Sequence, residues 1–514
     1  ANEEVGLSPL FQTLQLENRE LVVVRINFHV TLQNLEAVLC KELTASTRYR
    51  EVFYDGDGKR SEAEFTTYFP SAPELGEVLT AKDVILATGG GKGITFASAK
   101  RLATLTGARL ILLGRSAIGS SEELDSNLAT LKESGVVYEY RSADVMDLEG
   151  LKKAICAAEA NLGPVTVILH GAGVNQPKML SQLRLEDFER TESIKVQGLD
   201  NVLSCLTNEQ LRFVVGFGSI ISRSGMQGNA DYALANNKLA NSISALNKLL
   251  PTCRCVTLEW SIWEETGMGV KLGSLAGLKS RGVWPIPLEA GLQQLINHLG
   301  DTGVSLPTRI VIGGRYGKMP TLPYLRRKYP VGRFIGKILD GTSGVELISD
   351  VSINRTDDVY LDNHVFKGQY IFPTVMILEG MAQCCRAIGG DFFQVTFSNL
   401  EIEKSIFIPA NAANIIRFIV VRISQHEYVA RVRSEDSNFE VDCFRARIST
   451  EAISARENSE YASSNDSMLP VDVNMTFTTV FYFIVGHSVE YRGLNIYPLQ
   501  RLVALSVKRY RVNG

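Results

Sequence analysis

Histidine and tryptophan are scarce, with six and three in 514 residues. So few histidines exclude a polyhistidine metal site, and one that matters has to be recognised from its neighbours. The eight cysteines, at 40, 156, 205, 253, 255, 384, 385 and 443, form no C-x-x-C pair and no Cys/His cluster at zinc spacing, so they read as reduced core thiols. An excess of either charge is also missing: 53 Lys+Arg against 56 Asp+Glu leave −3, which argues against nucleic acid as a partner and against an acidic tail. No apolar run approaches the ~20 residues that cross a bilayer, and no signal-peptide pattern opens the chain. A soluble, cytosolic protein with no membrane partner is expected. What is present, 45% hydrophobic and 21% charged residues, is ordinary globular composition. At ~100 to 200 residues per domain, the length predicts about three folding units.

The texture along the chain divides it. Residues 1–80 alternate an amphipathic segment, Leu10 to Glu20, with a strand-like run from Leu21 to Ile26 and a second helical pattern around Leu35 to Leu43. Residues 81–314 repeat apolar strand, turn and helix: Val84 to Thr88, Arg109 to Gly114, Val137 to Ala143, Val165 to His170, Phe213 to Ser219 and Cys255 to Trp260. This is the α/β pattern of a Rossmann-type doubly wound parallel sheet. Residues 315–344, with Pro320, Pro323 and Pro330 among basic residues, read as a linker. Residues 345–450 are α+β, strands around one strong helix pattern from Thr374 to Ala387, which Pro373 would open at the favoured first position. The polar stretch 451–470 reads as another linker, followed by strand-like sequence over 471–514.

The strongest local signal is Thr88-Gly89-Gly90-Gly91-Lys92-Gly93-Ile94, a buried strand turning through glycines into a helix. Such a turn lets backbone N–H groups approach a pyrophosphate at a helix N-terminus, although glycine turns also occur for packing alone. The second strand ends in Arg115-Ser116, with an Arg where a site for NAD would place an acid. A guanidinium suits a 2′-phosphate, so NADPH is the expected cofactor. Asp144-Val145 closes the third strand near an adenine, and Gly171 and Ala172 follow the fourth on the nicotinamide side.

At these residues the sequence resembles the short-chain dehydrogenase/reductase family, and specifically the ketoreductase domains of type I polyketide synthases and polyunsaturated fatty acid synthases. The family turn T-G-x-x-x-G-x-G is matched at Thr88, Gly89 and Gly93, while Thr95 replaces the last glycine. Reduction of a ketone needs a proton donor, a second donor to hold the oxygen, and a cation beside them. Ser219 ends the fifth strand, Tyr232 follows 13 residues later, Asn236 lies four further on, and Lys195 sits 24 before Ser219. The resemblance implies Tyr232 as general acid, Ser219 as carbonyl donor, Lys195 as the tuning cation and Asn236 as organiser of a water. Trp260-Ser261-Ile262-Trp263 with Gly267-Met268-Gly269 resembles the substrate-side segment. The family's stereochemical markers are absent: no Leu-Asp-Asp follows Val174, and Ser224 stands where some members have Trp. Residues 1–80 resemble the end of the degenerate structural half that precedes the catalytic half, with a scaffolding role.

His364, Gly368 and Pro373 make the motif H-x-x-x-G-x-x-x-x-P ahead of the helix pattern. This resembles the first hot dog of synthase dehydratase domains, in which the His removes the α-proton of a β-hydroxyacyl thioester. Residues from Val480 to Phe483 and Tyr491 to Leu494 resemble the opening of a second hot dog, whose catalytic Asp the chain does not reach; Asp472 is not assigned that role. Asn465-Asp466-Ser467-Met468-Leu469 resembles a carrier-protein attachment site but lacks the surrounding helical bundle. The expected partners are an acyl carrier protein and other synthase domains, with a homodimer through the parent synthase also open. The expected chemistry is NADPH-dependent reduction of carrier-bound β-ketoacyl thioesters, with a partial dehydratase beside it. A catalytically silent scaffold within a megasynthase stands as the alternative.

Overall fold

The computed structural model describes residues 6–451 apart from 19, 30–33, 46–48, 64, 66, 71–74, 268–272, 274, 302, 304–305, 315–320, 323–331, 343 and 391–393, together with 510–512. The chain divides into two compact units, one of residues 1–64 and 70–323, the other of residues 65–69 and 324–514.

The first unit begins with α1 (Ser8–Glu17), β1 (Val24–Phe28), α2 (Leu35–Ala45), β2 (Arg50–Tyr54), β3 (Arg60–Ser61) and the short α3 (Leu75–Val78). Strands β1, β2 and β3 form a small sheet of their own. Then come β4 (Val84–Thr88), α4 (Gly93–Thr106), β5 (Arg109–Gly114), α5 (Glu122–Glu133), β6 (Tyr138–Ser142), α6 (Leu148–Leu162) and β7 (Val167–His170). The unit is completed by α7 (Leu185–Lys195), α8 (Gln197–Ser204), β8 (Phe213–Ser219), α9 (Ile221–Ser224), α10 (Ala230–Leu249), β9 (Arg254–Trp260), α11 (Leu275–Lys279), α12 (Leu288–Gly300) and β10 (Arg309–Ile312).

Seven parallel strands run in the order β6-β5-β4-β7-β8-β9-β10, the doubly wound arrangement. The direction of winding reverses between β4 and β7, and a crevice opens there at the carboxyl ends of the strands. Continuous apolar runs build this sheet because both its faces are covered. Val84, Leu86, Ile111 and Leu113, two residues apart along their strands, meet Leu151 and Ile155 of α6 and Leu239 and Ile243 of α10 in one core. Each such aliphatic side chain contributes about 1.5–3 kcal/mol on full burial. Asp147 caps α6, its carboxylate accepting the Gly150 amide at 3.1 Å.

The second unit contains β11 (Lys337–Thr342), β12 (Glu346–Ile353), the β13–β14 hairpin (Val365–Phe366 and Gln369–Ile371), α13 (Thr374–Gly389), β15 (Gln394–Ile402), β16 (Phe407–Ile408), β17 (Asn414–Arg422), β18 (Glu427–Ser434) and β19 (Phe444–Glu451). The antiparallel sheet β11-β12-β17-β18-β19-β15 carries β20 (Tyr510–Val512) as a parallel neighbour of β15. Helix α13 lies on this sheet, and Ile377, Met381 and Cys384 share a core with Leu347, Phe418 and Val420. Gly380 makes the contact close: a Cβ there would stand 2.4 Å from the Phe418 ring.

Two details differ from the sequence reading. Lys337–Thr342 lies in the span read as linker yet pairs with β12, its largely exposed pattern hiding an edge strand. Pro373, with φ −64° and ψ 136°, occupies the N-cap of α13 rather than the first helical position expected for it. Ser467, Asp472, Val480 to Phe483 and Tyr491 to Leu494 lie outside the described residues, as do Met268 and Gly269.

Candidate active site

The glycine turn joins β4 to α4 at the crevice. Gly89 has φ +67°, and a Cβ there would come within 3.0 Å of the Gly171 carbonyl oxygen; Gly93 opens α4 with φ +63°. These positions favour glycine, because a side chain at positive φ is strained and at residue 89 has no room. Gly90 and Thr88 are buried beneath the turn. The Gly91 carbonyl is held by Asn127 Nδ2 at 3.0 Å. The N-cap of α4, Lys92, makes no side-chain capping bond. Lys92 Nζ instead reaches Ser116 Oγ at 3.1 Å, beside the exposed Arg115 at the end of β5. Tyr140 of β6 supports this corner, donating from its hydroxyl to the Ser116 carbonyl at 2.6 Å. Asp144 is exposed, and the carbonyl of buried Val145 accepts Asn201 Nδ2 at 2.8 Å.

Lys195, the last residue of α7, is 2% exposed. Its Nζ donates to the Phe217 carbonyl of β8 at 3.2 Å and lies 5.5 Å from the centre of the Tyr232 ring. Burial lowers its pKa to about 8, so the side chain still carries its charge at neutral pH. Tyr232, in the first turn of α10, is buried, and desolvation raises its pKa to about 12. Ser219 stands at the carboxyl end of β8, paired in register with Trp260 of β9. Asn236, one helical turn beyond Tyr232, donates Nδ2 to the Tyr232 carbonyl at 2.7 Å. Its Oδ1 is buried without a hydrogen-bond partner among the described residues.

One cleft of about 1010 Å³ takes in Gly89, Lys92, Arg115, Lys195, Ser219 and Tyr232. Gly91, Gly93, Ile94, Ser116, Asp144, Val145, Gly171 and Ala172 line it too, so the turn residues and the Lys-Ser-Tyr set face a shared space. Trp260, Ser261, Ile262 and Trp263 form part of its wall, with the two indoles edge to face at 4.9 Å and 65°. Ser224 joins them, its Oγ donating to the Gly225 carbonyl at 2.8 Å. Asn236 does not itself line the cleft, and His364 belongs to the second unit.

His170, which ends β7 ahead of Gly171, is fully buried between the turn and the lysine. Its Nε2 is 2.9 Å from the Lys195 carbonyl and its Nδ1 2.9 Å from Thr88 Oγ1. A carbonyl only accepts, so Nε2 carries the proton and Nδ1 accepts from the Thr88 hydroxyl. Thr88 Oγ1 in turn accepts the Ala172 amide at 3.3 Å. Burial drops the His170 pKa to about 3, consistent with this neutral tautomer. Gln15, Leu16 and Tyr49 of the N-terminal segment also line the cleft, a placement no local motif signals.

In the second unit His364 follows a 3₁₀ turn, with Nδ1 2.9 Å from the Ile371 carbonyl across the β13–β14 hairpin. Desolvation lowers its pKa. Among the described residues no group of three His, Cys, Asp or Glu side chains is placed to hold a metal, no helix is long and apolar enough to cross a membrane, and all eight cysteines are free.

Residues 84–265 match the family described as KR domain. Polyketide synthase PksN of Bacillus subtilis (strain 168) is 31% identical over 305 residues, which cover 57% of this chain and 5% of PksN. A polyunsaturated fatty acid synthase chain of Thraustochytrium sp. is 25% identical over 440 residues, 73% of this chain and 14% of that protein. The chain thus spans only a small part of the curated relatives it matches. A crystal structure of a ketoreductase domain from the bacillaene assembly line is similar at a TM-score of 0.50 and 26% identity, over 60% of this chain and 73% of that one. The ketoreductase from the first module of phoslactomycin biosynthesis in Streptomyces sp. HK803 shares the fold at a TM-score of 0.53 and 22% identity, over 60% and 69% of the two chains. The segment from Val84 to Glu265 thus resembles KR domains in sequence and in the order of its sheet.

Proposed function

We propose that the first unit reduces a β-ketoacyl thioester, presented by an acyl carrier protein, to the β-hydroxyacyl thioester with NADPH. The observation that carries this reading is the buried Lys195 ammonium facing the Tyr232 ring at 5.5 Å, in the same cleft as the glycine turn.

The cleft fits a nicotinamide dinucleotide. The turn around Gly89 is packed too tightly for a side chain, and the start of α4 carries no side-chain cap. Gly89 to Ile94 would hold the pyrophosphate, and Asp144, Val145, Gly171 and Ala172 would border the rest. Lys92, Arg115 and Ser116 would take a 2′-phosphate, the chemistry that favours NADPH over NADH. When bound, the cofactor supplies the hydride that the β-carbon receives.

The chain's own groups handle the oxygen. Ser219 donates a hydrogen bond to the carbonyl, and the Tyr232 hydroxyl gives it a proton as negative charge develops. A phenol with its pKa near 12 holds that proton throughout neutral pH. The Lys195 charge stabilises the tyrosinate left behind, and a water held at Asn236 Oδ1 resupplies the proton. Atoms balance: one hydride on carbon and one proton on oxygen convert the ketone to the alcohol.

The second unit is proposed as a hot-dog dehydratase region with His364 as its base. Helix α13 lying on an antiparallel sheet, and the His364-to-Pro373 motif leading into it, support this. The likeness to the polyunsaturated fatty acid synthase chain, which extends over 440 residues, supports a place in a similar synthase. The test is NADPH oxidation with a β-ketoacyl thioester, followed by mass analysis of the product. A hydroxyacyl product is expected. No NADPH consumption by the wild-type protein with thioesters of several lengths would leave the silent-scaffold reading in its place. An enoyl product lost on His364→Ala would support the second site.

A further inference from the structure

The N-terminal helix α1 does more than lie beside the reductase sheet. Its last residue, Glu17, accepts two backbone amides: that of Gly228 on Oε1 at 2.9 Å and that of Leu180 on Oε2 at 2.8 Å. These amides belong to different loops. Leu180 lies after β7, in the segment that also carries Asn175 and Pro177 into the cleft wall; Gly228 lies just ahead of α10, four residues before Tyr232. The loops also meet directly, through the Lys178 amide on the Gly228 carbonyl at 2.9 Å and Asn175 Nδ2 on Asn229 Oδ1 at 3.0 Å.

A second contact one turn earlier in α1 fixes the same loop. Thr13 Oγ1 accepts the Met226 amide at 3.2 Å. Gly225, with φ +62°, sits so close that a Cβ there would be 2.7 Å from the Thr13 backbone nitrogen. At and beside these anchors Met226, Gln227 and Asn229 line the cleft, and Leu16 lines it from α1 itself. An ionised carboxylate is suited to this place because both its oxygens accept, and bonds to a charged acceptor are the stronger kind. A glutamine offers a single oxygen.

We propose that Glu17 is a positioning residue for the substrate end of the cleft: by pinning two loops at once it fixes how the β-ketoacyl carbonyl lies against Ser219 and Tyr232. This rests on the reductase reading above. It assigns the N-terminal segment a part in substrate orientation, beyond scaffolding.

The test compares the wild-type chain with Glu17→Ala and the milder Glu17→Gln. Amide hydrogen exchange of the segments around Leu180 and Gly228 reads the clamp without turnover, and faster exchange confined to both segments is expected. In steady state the thioester KM should rise about tenfold in Glu17→Ala, the loss expected for removing charge-assisted bonds, with the NADPH KM unchanged. The ratio of the two hydroxyl epimers should move toward even, with Glu17→Gln lying between. Unchanged exchange in both segments, an unchanged thioester KM and epimer ratio, or a parallel rise of both KM values would each overturn the proposal. Should Glu17→Ala not fold, Glu17→Gln, with its melting temperature checked, carries the same comparisons. A wild-type protein that oxidises no NADPH would remove the reductase reading, while the exchange data would still decide whether Glu17 joins the loops.

Discussion

Thr95 occupies the space that a side chain at residue 171 would need. A Cβ built on Gly171 would stand 1.8 Å from Thr95 Oγ1 and 2.9 Å from its Cβ. Thr95 is buried in the first turn of α4, where the family turn has its last glycine, and Gly171 begins the loop after β7. The two positions share one volume at the reversal point of the sheet, so the bulk missing from one is present at the other.

Gly171→Ala should therefore overpack this corner and cost about 1–3 kcal/mol of stability. Combined with Thr95→Gly, the same substitution should recover part of that loss. Denaturant midpoints of the two single variants and the double give the coupling, expected at about 1–3 kcal/mol in the compensating direction. Additive losses would show that the two sites relax independently.

Tyr232→Phe removes only the hydroxyl from a buried ring. The expected result is a fall in kcat of about 10²–10⁴, with NADPH affinity retained, measured by single-turnover reduction and by fluorescence titration of the cofactor. Unchanged turnover would assign the proton to another group.

On the proposed mechanism, Lys195 should set the alkaline limit of activity. Its pKa, lowered to about 8 by burial, means that the cation is present at pH 7 and is lost as pH rises through 8. In the proposed mechanism reduction needs the charged form, so kcat/KM should fall above about pH 8. Lys195→Arg, if it keeps any activity, should hold its rate to higher pH, since a guanidinium does not deprotonate there. A rate profile flat to about pH 10 would count against the charge requirement.

His170 sets an acid limit on stability rather than on chemistry. Unfolded, it titrates near 6.5; folded, burial holds it to about 3. Between these values the unfolded chain binds a proton that the folded one does not. Its contribution is therefore complete above pH 6.5 and is lost progressively as pH falls toward 3. Melting temperatures across about pH 4 to 8 should show a steeper acid decline in the wild type than in His170→Gln.

The seven-stranded parallel sheet is largely legible in the sequence because parallel strands covered on both faces are uninterrupted apolar runs; β4, β5 and β8 occupy the residues the pattern indicates. The seventh strand is harder to see: Arg309–Ile312 has only two buried residues, and its pairing with β9 is what makes it a strand. The glycine turn and the Lys195, Ser219 and Tyr232 positions stand out by residue type and spacing, and the fold brings them to one cleft. The contacts of His170 cannot be read that way. Its partners Thr88 and Lys195 lie 82 and 25 residues away and meet it only through the strand order. The same holds for Glu17, whose two amide partners are 211 and 163 residues distant.

The backbone does not visit its two units one after the other. Residues 65–69 belong to the second unit although the first resumes at Pro70, and within that unit the Phe69 ring lies under the Arg422 guanidinium at 4.8 Å. The chain therefore crosses between them three times, and no single cut yields two intact pieces. A protein ending at Pro323 would retain Phe65–Phe69 without the strand that Phe69 meets. One beginning at Tyr324 would leave Arg422 without that ring. Boundaries for separate expression of either half have to take account of this early loop as well as the later connector.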